Sequence, residues 1–213
     1  MILSYTLGAL YADNTAISKT LVAFTFGIGL VCIVFMNAEL FTGNCLTTII
    51  PLYHKQVKFR DLIPAWIICY IGNMLGIVLI GFMFIISQKD SNLFENYLHS
   101  VCNSKLTFTI IPLFLKAVLC NFIVCMASFA WHKVEKDGTK IIIMMFLVAA
   151  FVIAGLEHCV ANWGFFSMTF AQYGTAFDWS SFPMHMLLAT IGNIVGGSIL
   201  LGYPLYQIMK KEK

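Results

Sequence analysis

The sequence predicts an all-α polytopic membrane protein from its composition, its sparse charge and its long apolar stretches. Of the 213 residues, 60% are hydrophobic and only 11% are charged, and the mean hydropathy is +0.85. Soluble domains are about 45–50% apolar and about 25% charged, so this chain has too little polar surface for a water-exposed globule. The net charge of +3 gives no indication of nucleic-acid binding. We therefore expect a single transmembrane domain over residues 1–213, surrounded by a lipid bilayer.

Five stretches contain the roughly 20 apolar residues that a membrane-spanning helix needs. They are Leu21–Tyr53, Leu62–Ile86, Leu106–Trp131, Ile141–Phe170 and Met184–Met209. A further apolar stretch, Met1–Ala12, is too short to span a bilayer, which predicts a truncated first helix or a late start codon. The seven cysteines form no C-x-x-C pair and are expected to be small buried hydrophobic residues.

The basic residues of the connecting segments predict the orientation in the membrane. If the spans alternate, one side carries nine of them: Lys55, Lys58, Arg60, Lys133, Lys136, Lys140, Lys210, Lys211 and Lys213. The other side carries three: Lys19, Lys89 and Lys105. Because cytoplasmic loops are enriched in basic residues, we expect a cytoplasmic C-terminus in the inner (plasma) membrane.

Two of the five stretches carry polar residues in their middle. The first contains Glu39 within E-L-F-T-G-N, and the fourth contains Glu157 within E-H-C-V-A-N. Each is followed by a span that carries I-G-N, with the asparagines at Asn73 and Asn193. The acid and the asparagine are 34 residues apart in one case and 36 in the other. This spacing predicts an internal repeat of three helices per half.

The two halves, residues 1–86 and 106–209, are predicted to have opposite orientations because each holds an odd number of helices. Inverted repeats whose interrupted helices meet near the midplane are a recurring design for solute pathways. The alternative is a pair of Gly-kinked helices with chance polar residues. The paired acid, asparagine and I-G-N elements argue against that alternative.

Four motifs resemble signatures of the formate/nitrite transporter family. They are A-E-L-F-T-G-N at Ala38–Asn44, L-C-N-F-I-V-C-M-A at Leu119–Ala127, G-L-E-H-C-V-A-N at Gly155–Asn162 and I-G-N-I-V-G-G at Ile191–Gly197. They stand in the family's order, and the resemblance covers nearly the whole chain. The motifs are specific for the family but not for the substrate, because members carry formate, nitrite, hydrosulfide or lactate.

The resemblance implies an aquaporin-like protomer of six helices in an inverted 3+3 repeat, with broken second and fifth helices. It also implies a homopentamer with one substrate path per protomer. Small residues that permit close helix packing are consistent with such an assembly: Gly72, Gly76, Gly192, Gly196 and Gly197. We expect no cofactor and no metal.

The resemblance also assigns residues to the substrate path. The polar residues of the path would be Thr42, Asn121, His158 and Asn193, with Lys105 as a vestibule lysine. Two apolar constrictions would be formed by Phe26 and Phe151 on one side, and by Leu30, Leu40 and Phe41 with nearby Val124 on the other. An ionisable residue within a span is a functional candidate by default, and the reference pKa of an imidazole allows proton exchange at His158.

Other charged and polar residues have more ordinary expected roles. Glu39 and Glu157 are expected to hold the broken backbones by accepting N–H bonds, because buried carboxylates would repel an anion. Lys116, inside a span, would attract anions, snorkel to the interface or pair with an acid such as Glu157. The remaining histidines lie in loops or at span ends, without readable partners, and predict no metal site: His54, His99, His132 and His185.

The function expected on these grounds is a channel or proton-linked transporter for small monovalent anions of weak acids, with formate first. Positive vestibules would attract the anion, and a proton given near His158 would let the neutral acid cross the apolar constriction. Nitrite or hydrosulfide transport, an aquaporin-like conduit for neutral solutes and a non-transporting membrane scaffold are the alternatives. An intramembrane enzyme is the weakest of them, because no nucleophile converges with an acid/base pair.

Overall fold

The computed structural model describes residues 1–89 and 92–211, and within them the chain forms eleven α-helices. These are α1 (Ile2–Leu10), α2 (Thr15–Phe35), α3 (Phe41–Thr47), α4 (Ile49–Tyr53), α5 (Phe59–Ser87), α6 (Glu95–Leu106), α7 (Ile110–Lys133), α8 (Asp137–Ile153), α9 (Cys159–Tyr173), α10 (Phe182–Val195) and α11 (Gly202–Lys211). Short 3₁₀ turns lie at Asn92–Phe94 and Gly174–Ala176, and a π-helical segment, Gly196–Leu201, joins α10 to α11. Lys213, one of the basic residues on which the predicted orientation rests, lies outside the described residues.

Four helices of the described chain are long and apolar enough to cross a membrane. They are α2, α5, α7 and the continuous Phe182–Lys211 segment that comprises α10, the π-helical segment and α11. Large apolar side chains point outward from them, such as Ile68, which is 72% exposed, and Ile111, which is 71% exposed. A surface of this kind is stable in lipid and not in water, so the predicted all-helical membrane class is confirmed.

The two stretches that carry polar residues in their middle are not continuous helices. The first divides into α2, α3 and α4, with a break at residues 36–40, and the fourth divides into α8 and α9, with a break at residues 154–158. The connecting segment before Lys105 contains a helix, α6, and Lys105 lies in the last turn of that helix. Sequence periodicity missed this helix because its composition is mostly polar.

The three most extensive helix–helix contacts are those of α2 with α8, α5 with α9, and α7 with α10. Three apolar clusters fill the spaces between them, and each reaches one of the two breaks or α9. The second break is buried at Glu157 and His158, whereas residues 36–39 of the first break are exposed in the protomer. Non-helical backbone at membrane depth persists only where protein groups or water satisfy its polar atoms.

The glycines of the two I-G-N spans differ in their packing. A β-carbon built on Gly192 would lie 2.6 Å from the β-carbon of Ala117, and one built on Gly197 would lie 2.7 Å from Nδ2 of Asn121. Corresponding β-carbons on Gly72 and Gly76 would meet nothing within 4 Å. The glycines of the second I-G-N span thus permit close packing inside the protomer, whereas Gly72 and Gly76 leave a small-residue surface exposed on α5.

Candidate functional site

The two helix breaks have the same backbone geometry. At the end of α2, Asn37 has a φ of 49° and the N–H of Ala38 donates to the carbonyl of Ile33 at 2.9 Å. At the end of α8, Gly155 has a φ of 63° and the N–H of Leu156 donates to the carbonyl of Phe151 at 3.0 Å. Both are Schellman endings, in which a left-handed residue turns the chain and satisfies the last carbonyls of the helix.

An asparagine from the following span bridges each break. Asn73 accepts the N–H of Phe41 at 2.8 Å and donates to the carbonyl of Glu39 at 3.0 Å. Asn193 accepts the N–H of Cys159 at 2.8 Å and donates to the carbonyl of Glu157 at 2.8 Å. A primary amide does this well because it offers an acceptor and a donor side by side.

The two acids therefore do not have the role that we expected from the sequence. The amides of Asn73 and Asn193, rather than the carboxylates of Glu39 and Glu157, accept the N–H groups at the starts of α3 and α9. Glu39 has an exposed side chain, whereas the carboxylate of Glu157 is buried in an ion pair. Sequence spacing located the breaks but could not distinguish which polar residue binds the backbone.

His158 is the N-cap of α9, and its two ring nitrogens have different partners. Nδ1 accepts the N–H of Ala161 at 3.1 Å, so in this arrangement it carries no proton. Nε2 lies 3.0 Å from the hydroxyl oxygen of Thr42, to which it donates as the protonated nitrogen of a neutral ring. The imidazole thus joins the start of α9 to α3, from the opposite half of the chain.

The predicted path residues Thr42, Asn121 and Asn193 are fully buried and line neither of the two cavities described below. Asn121 donates to the carbonyl of Thr42 at 3.1 Å and to the carbonyl of Asn193 at 2.6 Å. The thiol of Cys125 also lies 3.2 Å from the carbonyl of Thr42. These side chains fix the backbone around His158 rather than offering polar groups to a solute.

Two cavities meet at His158. The first, of about 510 Å³, is partly polar, and the charged and polar side chains around its inner end include Lys105, Glu157 and Asn162. The second, of about 160 Å³, is almost entirely apolar. His158, Phe26, Phe151 and Ala161 line both. We call the first cavity the vestibule and the second the apolar cavity.

The apolar residues of the predicted constrictions lie between and around these cavities, with one exception. Phe26 and Phe151 meet edge to face at 6.3 Å, and the ring of Phe151 stacks on His158 at 6.1 Å. Leu30, Leu40 and Val124 line the apolar cavity. Phe41 does not line it: its ring packs against Tyr70 at 4.8 Å, with Trp66 nearby at 6.3 Å.

The vestibule lysine is paired with an acid at the fifth-helix break. Nζ of Lys105 lies 2.7 Å from Oε2 of Glu157 and 3.0 Å from Oδ1 of Asn162. Asn162 also donates to Oε2 of Glu157 at 2.9 Å. Lys116, which the sequence offered as a partner of Glu157, is instead exposed on α7. The pairing neutralises the charge by which Lys105 was expected to attract anions.

His185 belongs to the same cluster, although the sequence analysis had placed it at a span end without partners. Its ring is fully buried, and Nε2 lies 3.2 Å from Nδ2 of Asn162 and 3.4 Å from Oε2 of Glu157. Phe108 and Phe166 meet the ring edge to face. Its position in α10, with Ala189 and Gly192 following at helical spacing, was the sequence signal that it faces the interior.

Comparison with known proteins identifies the family. A family model described as "Formate/nitrite transporter" matches residues 1–207. The "Formate-nitrite transporter" of Plasmodium falciparum is 30% identical over 93% of this chain and 67% of its own length. The "Nitrite transporter NirC" of Salmonella typhimurium is 28% identical over 100% of this chain and 79% of its own length.

Solved structures agree with the sequence comparison. An "FNT family ion channel" superposes with a TM-score of 0.88 at 26% identity, covering 97% of this chain and 83% of the other. A "Pentameric formate channel with formate bound" has the same fold, with a TM-score of 0.77 at 23% identity over 98% of this chain and 93% of the other. By its sequence, its helix breaks and these likenesses, the chain belongs to the formate/nitrite transporter family.

Proposed function

We propose that this protein moves small monovalent anions of weak acids across the membrane, formate first, together with a proton. The observation that carries the proposal is the position of His158, an ionisable side chain where the polar vestibule meets the apolar cavity. The relatives named formate-nitrite transporter and nitrite transporter support the substrate class. The solved formate channel supports the choice of formate within it.

The apolar cavity favours a neutral solute over an ion. Transfer of an unpaired carboxylate into an apolar medium costs many kcal/mol, whereas a protonated carboxylic acid loses only its hydrogen bonds. Phe26, Leu30, Leu40, Val124 and Phe151 would act as the apolar gate that a hydrated ion cannot pass. A proton added to the anion before this gate removes the main barrier.

We assign the proton exchange to Nδ1 of His158. When a proton binds there, the N–H of Ala161 loses its acceptor and becomes free to bind an anion at the positive end of α9. The imidazolium then gives its Nδ1 proton to the bound formate, which becomes formic acid. The ring returns to its neutral form, and Nδ1 again accepts the N–H of Ala161.

The alternatives differ in what would cross. Nitrite and hydrosulfide are also monovalent anions of weak acids and would use the same steps, whereas an aquaporin-like conduit would pass neutral solutes and a scaffold would pass nothing. The test is radiolabelled formate uptake into proteoliposomes, with nitrite, hydrosulfide and lactate as competitors and osmotic flux of water and glycerol measured alongside. Formate uptake by the purified protein supports the proposal; solute flux without formate uptake, or no flux, contradicts it.

We further propose a homopentamer in the plasma membrane with a cytoplasmic C-terminus. The pentameric solved relative supports the assembly. Basic residues support the orientation, because residues 55–60, 133–140 and 210–213 carry nine of the thirteen Lys and Arg residues. His54, which follows α4, packs against Tyr206 of α11 at 4.8 Å, as segments on one side of the membrane must.

A further inference from the structure

We propose that His185 is a positioning residue that controls whether Lys105 is available to attract an anion into the vestibule. The inference rests on the proposed passage of anions through the vestibule and adds a second protonatable side chain to it. In the neutral state of His185, Glu157 cancels the charge of Lys105. Protonation of His185 gives the same carboxylate a second cation and leaves the cluster with one net positive charge.

The hydrogen bonds fix the tautomer of the neutral ring. The ammonium of Lys105 is only a donor, so the atom of Asn162 that faces it must be the carbonyl oxygen Oδ1. The amide nitrogen of Asn162 then faces both Glu157 and Nε2 of His185. We assign Nε2 as the acceptor from this nitrogen, which puts the proton of the neutral ring on Nδ1.

This tautomer leaves a polar group in an unfavourable place. Nδ1 of His185 is buried and has no hydrogen-bond partner among the described residues. The neutral ring thus keeps an unsatisfied N–H in an apolar surrounding formed by Phe108 and Phe166. Buried polar groups without partners are rare in folded proteins, and this N–H stays unpartnered when Nε2 also gains a proton.

A second state is available at Nε2. A proton added there would face Oε2 of Glu157, which is only 3.4 Å away. Lys105 already occupies that oxygen at 2.7 Å, so the two cations compete for one carboxylate. Because the side chain of Lys105 is 20% exposed and that of His185 is not exposed at all, Lys105 is the member that can turn toward an anion in the vestibule.

The other titratable groups near the cluster do not provide this control. Tyr5 carries a phenol, and Cys102 and Cys120 carry thiols. Both kinds of group are uncharged near neutral pH. His158 belongs to the break itself and has its own partners in Thr42 and Ala161. On the elements around His185, namely α6, α9, α10 and the break before α9, the charged groups that meet the cluster are Lys105 and Glu157.

The tautomer and its titration are tested directly by nitrogen NMR of the ¹⁵N-histidine-labelled protein in bilayers. The signal of His185 is the one missing from the His185→Asn variant. At pH 8 we expect a neutral ring protonated on Nδ1, and as the pH is lowered toward about 5 we expect an imidazolium. A ring protonated on Nε2 at pH 8, or one that stays neutral throughout, overturns the inference whether or not the protein transports formate.

The functional consequence is tested with nitrate, which stays an anion throughout this pH range. In the wild type, the inhibition constant of nitrate against formate uptake should fall roughly tenfold from pH 8 to pH 5, as expected for a positive charge at a cleft. In His185→Asn and His185→Gln the fall should be clearly smaller, because only the contribution of His158 protonation remains. His132→Asn, which removes an exposed imidazole at the far end of α7, should behave as the wild type.

The role of Lys105 as the responding group is tested by combining substitutions. In a Lys105→Gln background, His185→Asn should cause no further change in the pH dependence of nitrate inhibition. The inference is contradicted if nitrate inhibition in His185→Asn has the pH dependence of the wild type. It is also contradicted if His185→Asn has the same effect in the Lys105→Gln background as in the wild-type background. Absence of formate uptake by the wild type would contradict the proposed function instead, and the NMR titration would still decide the behaviour of His185.

Discussion

The proposed proton exchange depends on one side chain, His158, which also stabilises the fold. Its Nδ1 caps α9 and its Nε2 contacts Thr42, so a substitution can disturb both the fold and the proton exchange. Asparagine separates the two functions. It is among the best N-cap residues, since its side-chain oxygen can accept the N–H of Ala161, but it does not exchange a proton near neutral pH.

We predict that His158→Asn folds and assembles but loses the proton movement of transport and the part of its pH dependence that comes from proton exchange. Any residual formate flux should be purely anionic, or roughly 100-fold slower, as for the loss of a proton-transfer group. The measurement is formate flux in liposomes with an internal pH dye, at clamped voltage, from about pH 5 to pH 8. His158→Asn with wild-type flux, pH profile and proton coupling would reduce His158 to a structural residue.

Substitution of Lys105 should have a larger effect on stability than substitution of a solvated lysine, because Lys105 is paired with a buried carboxylate. Lys105→Gln removes the partner of a buried carboxylate, and breaking a buried ion pair from one side costs of the order of 3 kcal/mol. We expect lower thermal stability, weaker formate uptake at low concentration, and less dependence of uptake on ionic strength. Unchanged uptake and unchanged stability would contradict a role for this pair.

The double variant Lys105→Gln/Glu157→Gln separates stability from attraction. Because it removes both charges together, it should recover most of the thermal stability lost in Lys105→Gln. It should not recover formate uptake at low concentration, because the vestibule still lacks its cation. Recovery of both properties would mean that Lys105 only compensates Glu157.

At the scale of the helical elements, the two breaks are built alike but end in different residues. Both use a Schellman ending and a bridging asparagine, and the N-cap residues that follow are Leu40 in one half and His158 in the other. One break therefore presents an apolar side chain and the other an ionisable one. Leu40 lines the apolar cavity alone, whereas His158 lines both cavities.

We predict that the bridging asparagines differ in their contributions to stability. Asn193→Ala leaves buried backbone groups of Cys159, Glu157 and Ala117 without a partner, at about 1–3 kcal/mol each. Asn73→Ala should cost less, because its bond to the carbonyl of Glu39 is exposed to solvent. Thermal unfolding of the two variants in one detergent measures the difference. An equal loss for both, or no loss for Asn193→Ala, would contradict the bridging role.

The sequence predicted the breaks well because their polar residues interrupt otherwise apolar spans. Glu39 and Glu157 were placed at the breaks, whereas Asn193 was assigned to the substrate path and Asn73 only to the span that follows the first break. It could not predict that the asparagines rather than the acids bind the backbone, because that depends on which side chain crosses between helices. His185 was missed for the same reason, since its partners are on α9 and at the break before it, far away in sequence.

At the scale of the whole molecule, the distribution of small residues bears on assembly. Gly192 and Gly197 are pressed against α7 and Asn121, whereas Gly72 and Gly76 on α5 have open space beside them. We predict a pentamer by native mass spectrometry of the detergent-purified protein. Bulky substitution at Gly76 should be tolerated better within the protomer than substitution at Gly192. A dominant monomer or tetramer would contradict the proposed assembly.

The central claim is that a small weak-acid anion and a proton cross together. The direct measurement is formate flux through the purified wild-type protein in proteoliposomes, with internal pH and membrane potential recorded at the same time. We expect each formate to enter with one proton, so that the interior acidifies and no net charge moves. Formate entry that builds up a membrane potential without acidification would contradict it.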